Sequence, residues 1–422
     1  MKIKTKQIPY SQVKAIKPRQ HKKPVKPSKA LKKLILALSA PELKKVGFSY
    51  ESIGMEKLGK DEPCLILMNH SSFIDLKIAE TIFNDRLLQI VCTSDGFVGK
   101  EAIMRHIGCI PTQKFVTDLA LVKDMKYCVE KLKTSILLYP EASYSFDGTA
   151  TPLPESLCKF IKMLKVPVVF IETFGAFHRD PLYNGLRLRN VGVTAKVTYL
   201  LSPDEIANKH ADEIADILNK SFSFDYFRWQ KENDIAVSED FRTLGLERVL
   251  YKCPVCKSEG HMKGTGVKHK CEKCGSTWFM NEYGEMIKEE ATDSSSFKHI
   301  PDWYKWQREC VRDEIKNGEY KLDIPVDIKV LKDFNAIYEV GEGRLIHDNS
   351  GFRLTGCDGQ LDYTQAVKSS YSLYSDYFWY ELGDMICIGD NKVLYYCFPK
   401  SENVVVAKAR LATEELYKET IG

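Results

Sequence analysis

Between Pro63 and about Glu232, short apolar runs alternate with stretches of helical periodicity. The runs at 64–68, 87–92, 135–139, 166–171 and 195–200 read as strands. The stretches at 99–106, 119–132, 155–164 and from 204 into the 220s read as helices. Such alternation predicts an α/β fold with a mainly parallel sheet covered by helices. In such sheets ligands collect beyond the carboxyl ends of the strands.

The first apolar run leads into Asn69-His70-Ser71-Ser72-Phe73-Ile74-Asp75. Ser71 and Ser72 are expected to cap a helix beginning near Phe73. His70 then ends a strand and Asp75 lies in the first helical turn. On one continuous helix, residues five apart diverge by about 140°. Across a strand-to-helix corner they can meet. A carboxylate on one imidazole nitrogen fixes the tautomer, and the other nitrogen can then take a proton from a hydroxyl. The pair brings no nucleophile of its own, so it suits a reaction whose nucleophile is the substrate's hydroxyl. The same spacing also fits a structural histidine near a helix cap. With 9 histidines in the chain, about half of one chance His-x4-Asp is expected.

Three more blocks follow in order: Gly108-Cys109-Ile110-Pro111-Thr112-Gln113-Lys114, Tyr139-Pro140-Glu141-Ala142-Ser143-Tyr144-Ser145 and Val166-Pro167-Val168. With Asn69-His70 and Asp75 as an NHx4D motif, the set resembles the glycerolipid acyltransferase family, lysophosphatidate acyltransferases in particular. The third block is similar to that family's FPEGTRS. The resemblance covers about positions 30 to 230. It implies that His70 is a general base oriented by Asp75. It also implies that Lys114, Glu141, Ala142 and Ser143 bind the acceptor. The co-substrate would be acyl-CoA or acyl-carrier protein, and the acceptor a lysophospholipid such as 1-acylglycerol-3-phosphate. The attacked thioester releases a good leaving group, so no covalent intermediate or catalytic metal is implied. Lys114 stands where the family has Arg, and Tyr144 where the third block has its Arg. Bidentate phosphate binding is lost in the first change and a cation in the second.

Cys253 and Cys256 form one C-x2-C unit, and Cys271 and Cys274 a second, fourteen residues on. Two such knuckles are the spacing of a four-thiolate zinc site. Four protein ligands leave no open position, so the metal is expected to be structural. A redox C-x-x-C is the competing reading of one unit alone. The other cysteines of the 13 are scattered singly, which argues for reduced, buried residues in an intracellular protein.

Residues 1–33 hold twelve Lys or Arg and no acid. Taking that +12 from the net charge of +4 leaves the remainder at about −8. With Pro9, Pro18, Pro24 and Pro27, the first thirty residues read as a basic, flexible arm. A short amphipathic helix follows at 31–38. Together they are expected to dock on an anionic membrane surface, each Lys contributing about 1 kcal/mol. A solvated tail or nucleic-acid binding are the other readings, nucleic acid being the least expected. No apolar run reaches the roughly 18 residues of a spanning helix. The expected location is therefore cytoplasmic, at the inner face of a membrane.

The expected domains are the arm (1–30), an acyltransferase-like α/β domain (31–235), a zinc ribbon (236–290), a linker and helix (291–325) and a β-rich module (326–422). The linker signal is Thr292-Asp293-Ser294-Ser295-Ser296. In the last module, runs such as 345–347, 393–398 and 404–409 read as strands. Its arrangement loosely resembles pleckstrin-homology-like domains. The function expected is acyl transfer to a lipid hydroxyl. The alternative is a catalytically inert acyltransferase fold in which the ribbon and β-rich module recruit a partner.

Overall fold

The computed structural model describes residues 2–116, 118–289, 297–400 and 405–421. The expected linker at 292–296 lies outside them. The chain opens with β1 (Thr5–Gln7), α1 (Tyr10–Ala15) and α2 (Lys29–Lys45). An α/β unit follows: β2 (Ser49–Ile53), β3 (Leu65–Met68), α3 (Asp75–Ile82), β4 (Leu88–Thr93), α4 (Glu101–Ile107), β5 (Cys109–Thr112), α5 (Leu119–Tyr127), β6 (Ser135–Leu138), α6 (Ser156–Leu164), β7 (Val168–Phe174), α7 (Ala176–Arg179), β8 (Thr194–Leu201), α8 (Pro203–Asn208), α9 (Ala211–Ser221) and α10 (Tyr226–Glu232). Then come β9 (Met262–Thr265), β10 (Lys268–Cys271), β11 (Thr277–Met280), β12 (Met286–Lys288) and α11 (Ile300–Lys316). The last part holds β13 (Leu322–Leu331), β14 (Ile337–Asp348), β15 (Gly351–Gly356), β16 (Leu361–Ala366), β17 (Tyr374–Asp376), β18 (Met385–Gly389), β19 (Leu394–Pro399) and α12 (Val406–Ile421).

Among the described residues these strands form three sheets. The first runs β2-β8-β7-β3-β6-β4-β5. Its pairs are parallel except β7–β8, which is antiparallel. Leu65, Ile66, Leu67 and Met68 of β3 are all buried, because helices cover both faces. One face packs Ile136, Leu157, Ile161, Ile214 and Leu218. The other packs Leu43, Ile66, Ile78 and Val169. Between α4 and β5 sits Gly108 at φ 111°, where a Cβ would come within 2.4 Å of the Leu88 carbonyl oxygen. Only glycine lets β5 start that close to β4.

The second sheet runs β12-β11-β10-β9, with Cys271 ending β10, Cys274 in the turn after it and Cys253 and Cys256 in the segment before β9. It is docked on α11. The Trp278 and Trp303 ring centroids are 4.9 Å apart, and Gln307 accepts from Lys252 N at 2.9 Å while donating to Val249 O at 2.8 Å.

The third sheet runs β16-β15-β14-β13-β19-β18-β17, with β1 added in parallel beside β14. That pairing corrects the expectation of a flexible arm. Tyr10 and Val13 of α1 are buried, and the Tyr10 and Tyr395 hydroxyls lie 3.0 Å apart. Arg19 stacks 5.1 Å over Phe334, and Ser28 N donates to His106 O at 2.8 Å. The lysines point outward while the few apolar residues anchor the segment, so composition alone gave the wrong answer. The run 404–409, expected as a strand, is also corrected: from Val406 on it is α12. Ala407, Ala409, Leu411 and Ala412 are all fully buried there. Arg308 reaches Glu414 at 2.7 Å and Arg312 reaches Glu415 at 2.7 Å, which clamps α12 to α11.

Candidate active site

The corner after β3 is built around one carboxylate. Asp75 Oδ2 accepts from Ser71 N at 2.8 Å, from Ser72 N at 3.0 Å and from His70 Nδ1 at 3.0 Å. The helix therefore starts at Asp75, not near Phe73. The backbone N–H groups of both serines are held by the aspartate, and the Ser72 Oγ accepts from Ile74 N at 3.3 Å, one residue before the helix. Asp75 is 1% exposed, so its charge is held by these donors and not by water. The Ser72 hydroxyl donates to Asp180, whose carboxyl burial pushes up to about 7.

His70 is sandwiched between two tyrosines. Its ring centroid lies 4.2 Å from that of Tyr139 and 3.9 Å from that of Tyr144, with interplanar angles of 30° and 28°. With Nδ1 on Asp75, Nε2 is the nitrogen left for a substrate. Burial holds the imidazole below its ordinary value; Asp75 opposes this and Lys114 adds to it. A neutral ring is the form that accepts a proton.

His70 lines a cavity of about 1300 Å³. Leu121, Met125, Leu153, Leu157, Phe160 and Met163 form an apolar part of its wall, between α5 and α6. The opposite wall comes from the third sheet and α12, with Tyr371, Tyr374, Asp376, Trp379 and Tyr417. Two regions far apart in sequence thus enclose one space.

The residues expected to bind the acceptor fall into two groups. Lys114 and Ala142 line the cavity. Lys114 Nζ sits 4.4 Å over the Tyr374 ring. Burial lowers its pKa, while Asp376 and Asp95 hold it up. Ala142 adopts φ 54°, a left-handed backbone that glycine takes at lower cost. Glu141 and Ser143 lie behind the wall, 0% and 1% exposed. The Ser143 hydroxyl donates to Tyr144 O at 3.0 Å. Glu141 accepts from His70 N at 3.1 Å, from Thr151 N at 2.8 Å and from the Thr151 hydroxyl at 3.1 Å. Burial pushes its carboxyl up to about 7 against these bonds. Glu141 therefore ties the third block to the backbone of His70 and is turned away from the cavity.

Sequence reasoning missed the tyrosine sandwich and the far wall. The first had a signal, since Tyr139 and Tyr144 bracket Glu141 in one block. The second had none, because it depends on a contact across more than 200 residues.

The sulfurs of Cys253, Cys256, Cys271 and Cys274 lie within 4.8 Å of one another, and the group could hold a metal ion. The Sγ–Sγ distances are 3.7 Å for Cys253–Cys274 and for Cys256–Cys271. A tetrahedral Zn–S₄ unit with bonds of about 2.3 Å has edges of about 3.8 Å, so the donor set fits zinc.

Residues 49–171 match a family model described as Acyltransferase. The 1-acyl-sn-glycerol-3-phosphate acyltransferase beta of Homo sapiens is 22% identical over 137 residues, 31% of this chain and 49% of that protein. The match thus spans about half the length of that relative. The crystal structure of the 1-acyl-sn-glycerophosphate (LPA) acyltransferase PlsC from Thermotoga maritima is similar at 16% identity. It covers 45% of this chain and 78% of its own, with a TM-score of 0.35.

Proposed function

We propose, from the match of residues 49–171 to the Acyltransferase family model and the similarity to a 1-acyl-sn-glycerol-3-phosphate acyltransferase, that the chain transfers a fatty acyl group from a thioester, acyl-CoA or acyl-carrier protein, to a hydroxyl of a lysophospholipid or related lipid. The observation that carries this reading is the 3.0 Å contact between His70 Nδ1 and Asp75 at the wall of a large, partly apolar cavity.

His70 Nε2 takes the proton of the acceptor hydroxyl as its oxygen attacks the thioester carbonyl. Asp75 stabilises the imidazolium that forms. The C–O bond is made, the C–S bond breaks, and the proton passes from His70 to the departing thiolate. Tyr139 and Tyr144 keep the ring from rotating out of line. Glu141 fixes the backbone that carries it, as a positioning residue. The apolar wall between α5 and α6 takes an acyl chain, and Lys114 and Ala142 lie where the acceptor enters.

Zinc on the four thiolates would be structural and takes no part in these steps; it would staple a small ribbon that has little core of its own. No helix among the described residues is long and apolar enough to cross a membrane. Peripheral docking through α2 is supported by its outward stripe, where Leu34 and Leu38 are 53% and 69% exposed beside exposed Lys33, Lys44 and Lys45. The placement is at the inner face of a membrane.

The test is thiol release from palmitoyl-CoA with a lysolipid acceptor. Full-length protein is expected to turn over, and His70→Ala to lose at least about 10³-fold in kcat. Equal turnover by the two would reject His70 as the base.

A further inference from the structure

His70 is gripped by its backbone as well as by its ring. Its N–H donates to Glu141 at 3.1 Å, and its carbonyl accepts from Ser145 N at 3.3 Å. The N–H of Ser145 and the carbonyl of Tyr144 belong to one planar peptide unit. In a trans unit the two point in opposite directions, so whatever binds the carbonyl fixes where the N–H aims. The Tyr144 carbonyl accepts from Arg410 Nη1 at 3.3 Å and from the Ser143 hydroxyl at 3.0 Å. A chain of hydrogen bonds therefore runs from a guanidinium of α12, through the 144–145 peptide, to the backbone of His70. Bonds in such a chain polarise one another inside a protein. The side chain of Tyr144 meanwhile lies on the imidazole, with ring centroids 3.9 Å apart. Backbone and ring of one residue thus both bear on His70.

Arg410 is itself locked in place. It is 3% exposed, its guanidinium lies 4.5 Å over the Phe146 ring, and its Nε pairs with Glu414 at 3.3 Å. Glu414 also accepts from the Ser372 hydroxyl at 2.7 Å and pairs with Arg308 at 2.7 Å. A buried guanidinium is costly to hold, and Arg308 and Arg312 already tie α11 to α12. What Arg410 adds is its reach into the third block. Its charge also helps keep Glu141 ionised against the burial that raises that carboxyl. Both backbone grips on His70 therefore lead back to this one side chain. Tyr144 stands where the resembled block has its arginine, and a cation 266 residues further along the chain returns to the same position.

We infer that Arg410 is a positioning residue for His70: it fixes the 144–145 peptide and, through it, both the backbone and the ring stack of the histidine. The inference deepens the acyl-transfer reading of the same site and rests on it for its effect on turnover. When the hold is lost, the Tyr144 ring slips from the imidazole and water reaches it. Burial is the largest cause lowering the His70 pKa, so the value then rises. Asp75 and Lys114 are the charged groups acting on the imidazole, Tyr139 and Tyr144 cover its two faces, and Glu141 holds its N–H. All five stay in the chain when Arg410 is replaced.

The experiment compares the full-length protein with Arg410→Met and Arg410→Lys. Methionine keeps an apolar stem beside Phe146 and removes the donors; lysine keeps the charge without the planar fork. One readout is thiol release from palmitoyl-CoA with a lysolipid acceptor. The other is the pH titration of the His70 imidazole by NMR, its resonance identified by its loss in His70→Ala. Arg410→Met is expected to lower kcat about 10- to 100-fold with both KM values within about twofold. Its His70 titration should move up toward the ordinary value of about 6.5. Arg410→Lys should recover most of the loss, to within about threefold of the unmutated kcat. A folded Arg410→Met with kcat within about twofold of the unmutated protein, or with a lowered kcat and an unmoved His70 titration, overturns the inference. Should Arg410→Met not fold, Arg410→Lys decides: both readouts moved in these directions support the inference, and either one unmoved overturns it. Absence of thiol release from the unmutated protein would sink acyl transfer, and the His70 titration would still decide the positioning.

Discussion

Replacing Glu141 by Gln isolates the role of a residue that sequence alone assigns to the acceptor. In the structure its two oxygens receive three donors: the backbone N–H of His70, and the N–H and hydroxyl of Thr151. A glutamine has the same shape but one acceptor oxygen. If that oxygen faces Thr151, the new NH₂ meets the His70 N–H; if it turns, the NH₂ meets the Thr151 N–H, although the Thr151 hydroxyl can rotate to accept. Either way one buried backbone donor loses its partner, at a cost of about 1–3 kcal/mol. The His70 peptide then moves relative to Asp75, and a displacement of about an ångström at a reacting group lowers the rate by up to about 10²-fold. The expected result is a kcat reduced about 10- to 100-fold with the acceptor KM within about twofold. The urea midpoint should drop, and hydrogen exchange should rise in the peptide 68–75. A KM that climbs while stability and exchange stay unchanged would show Glu141 in contact with the acceptor, and the positioning argument would fail.

Three other outcomes follow from the same structure. Because burial holds His70 below the ordinary imidazole value of about 6.5, its neutral form persists into mild acid. The acid limb of kcat/KM should then lie below pH 6.5, with rate rising as pH rises through it; a limb at or above 6.5 contradicts the burial. Elemental analysis should give one zinc per chain, and none after Cys253→Ser with Cys271→Ser; full metal in that double variant would exclude this ligand set. Sedimentation with anionic vesicles should weaken about tenfold or more for Leu34→Ser with Leu38→Ser, at about 1 kcal/mol or more per leucine; unchanged sedimentation would remove α2 from the membrane contact.

Much of the first sheet can be read from the sequence because its strands are buried on both faces. Leu65-Ile66-Leu67-Met68 and Ser135-Ile136-Leu137-Leu138 leave no ambiguity of period, and helices of clear amphipathic spacing separate them. The meeting of His70 with Asp75 is likewise legible, since a strand-to-helix corner is the geometry that lets residues five apart touch. What fails is what depends on distant partners. Val13 reads as one apolar residue among lysines, yet it is 1% exposed beneath a sheet formed three hundred residues later. Glu141 reads as a turn carboxylate open to substrate because local sequence says nothing of Thr151 closing behind it. The run 404–409 has three strand-like valines, but from Val406 on the alanines and the Arg308 and Arg312 pairs with Glu414 and Glu415 make it a helix. Here tertiary partners override a local preference.

The consequence for architecture is that the β-rich module cannot be an independent recruitment unit attached to a finished enzyme. Arg410 of α12 donates to the carbonyl of Tyr144 at 3.3 Å, so the last helix touches the residue that stacks on His70. Tyr377 of the β-rich module donates to Arg248 O at 2.7 Å, and Lys408 of α12 pairs with Glu259 at 2.8 Å and Glu314 at 2.7 Å. These bonds run from the cysteine-bearing ribbon through α11 and α12 to the loop around His70. At the other end β1 is a strand of the third sheet, so the first residues also hold the module in place. Removing the chain beyond position 325 would strip β1 of its partner, expose the buried side chains of the cavity's far wall and leave Lys114 without Asp376. Loss of turnover in such a truncation would therefore say nothing about recruitment. Single changes in the wall, which leave the fold closed, are the perturbations that separate substrate reading from assembly.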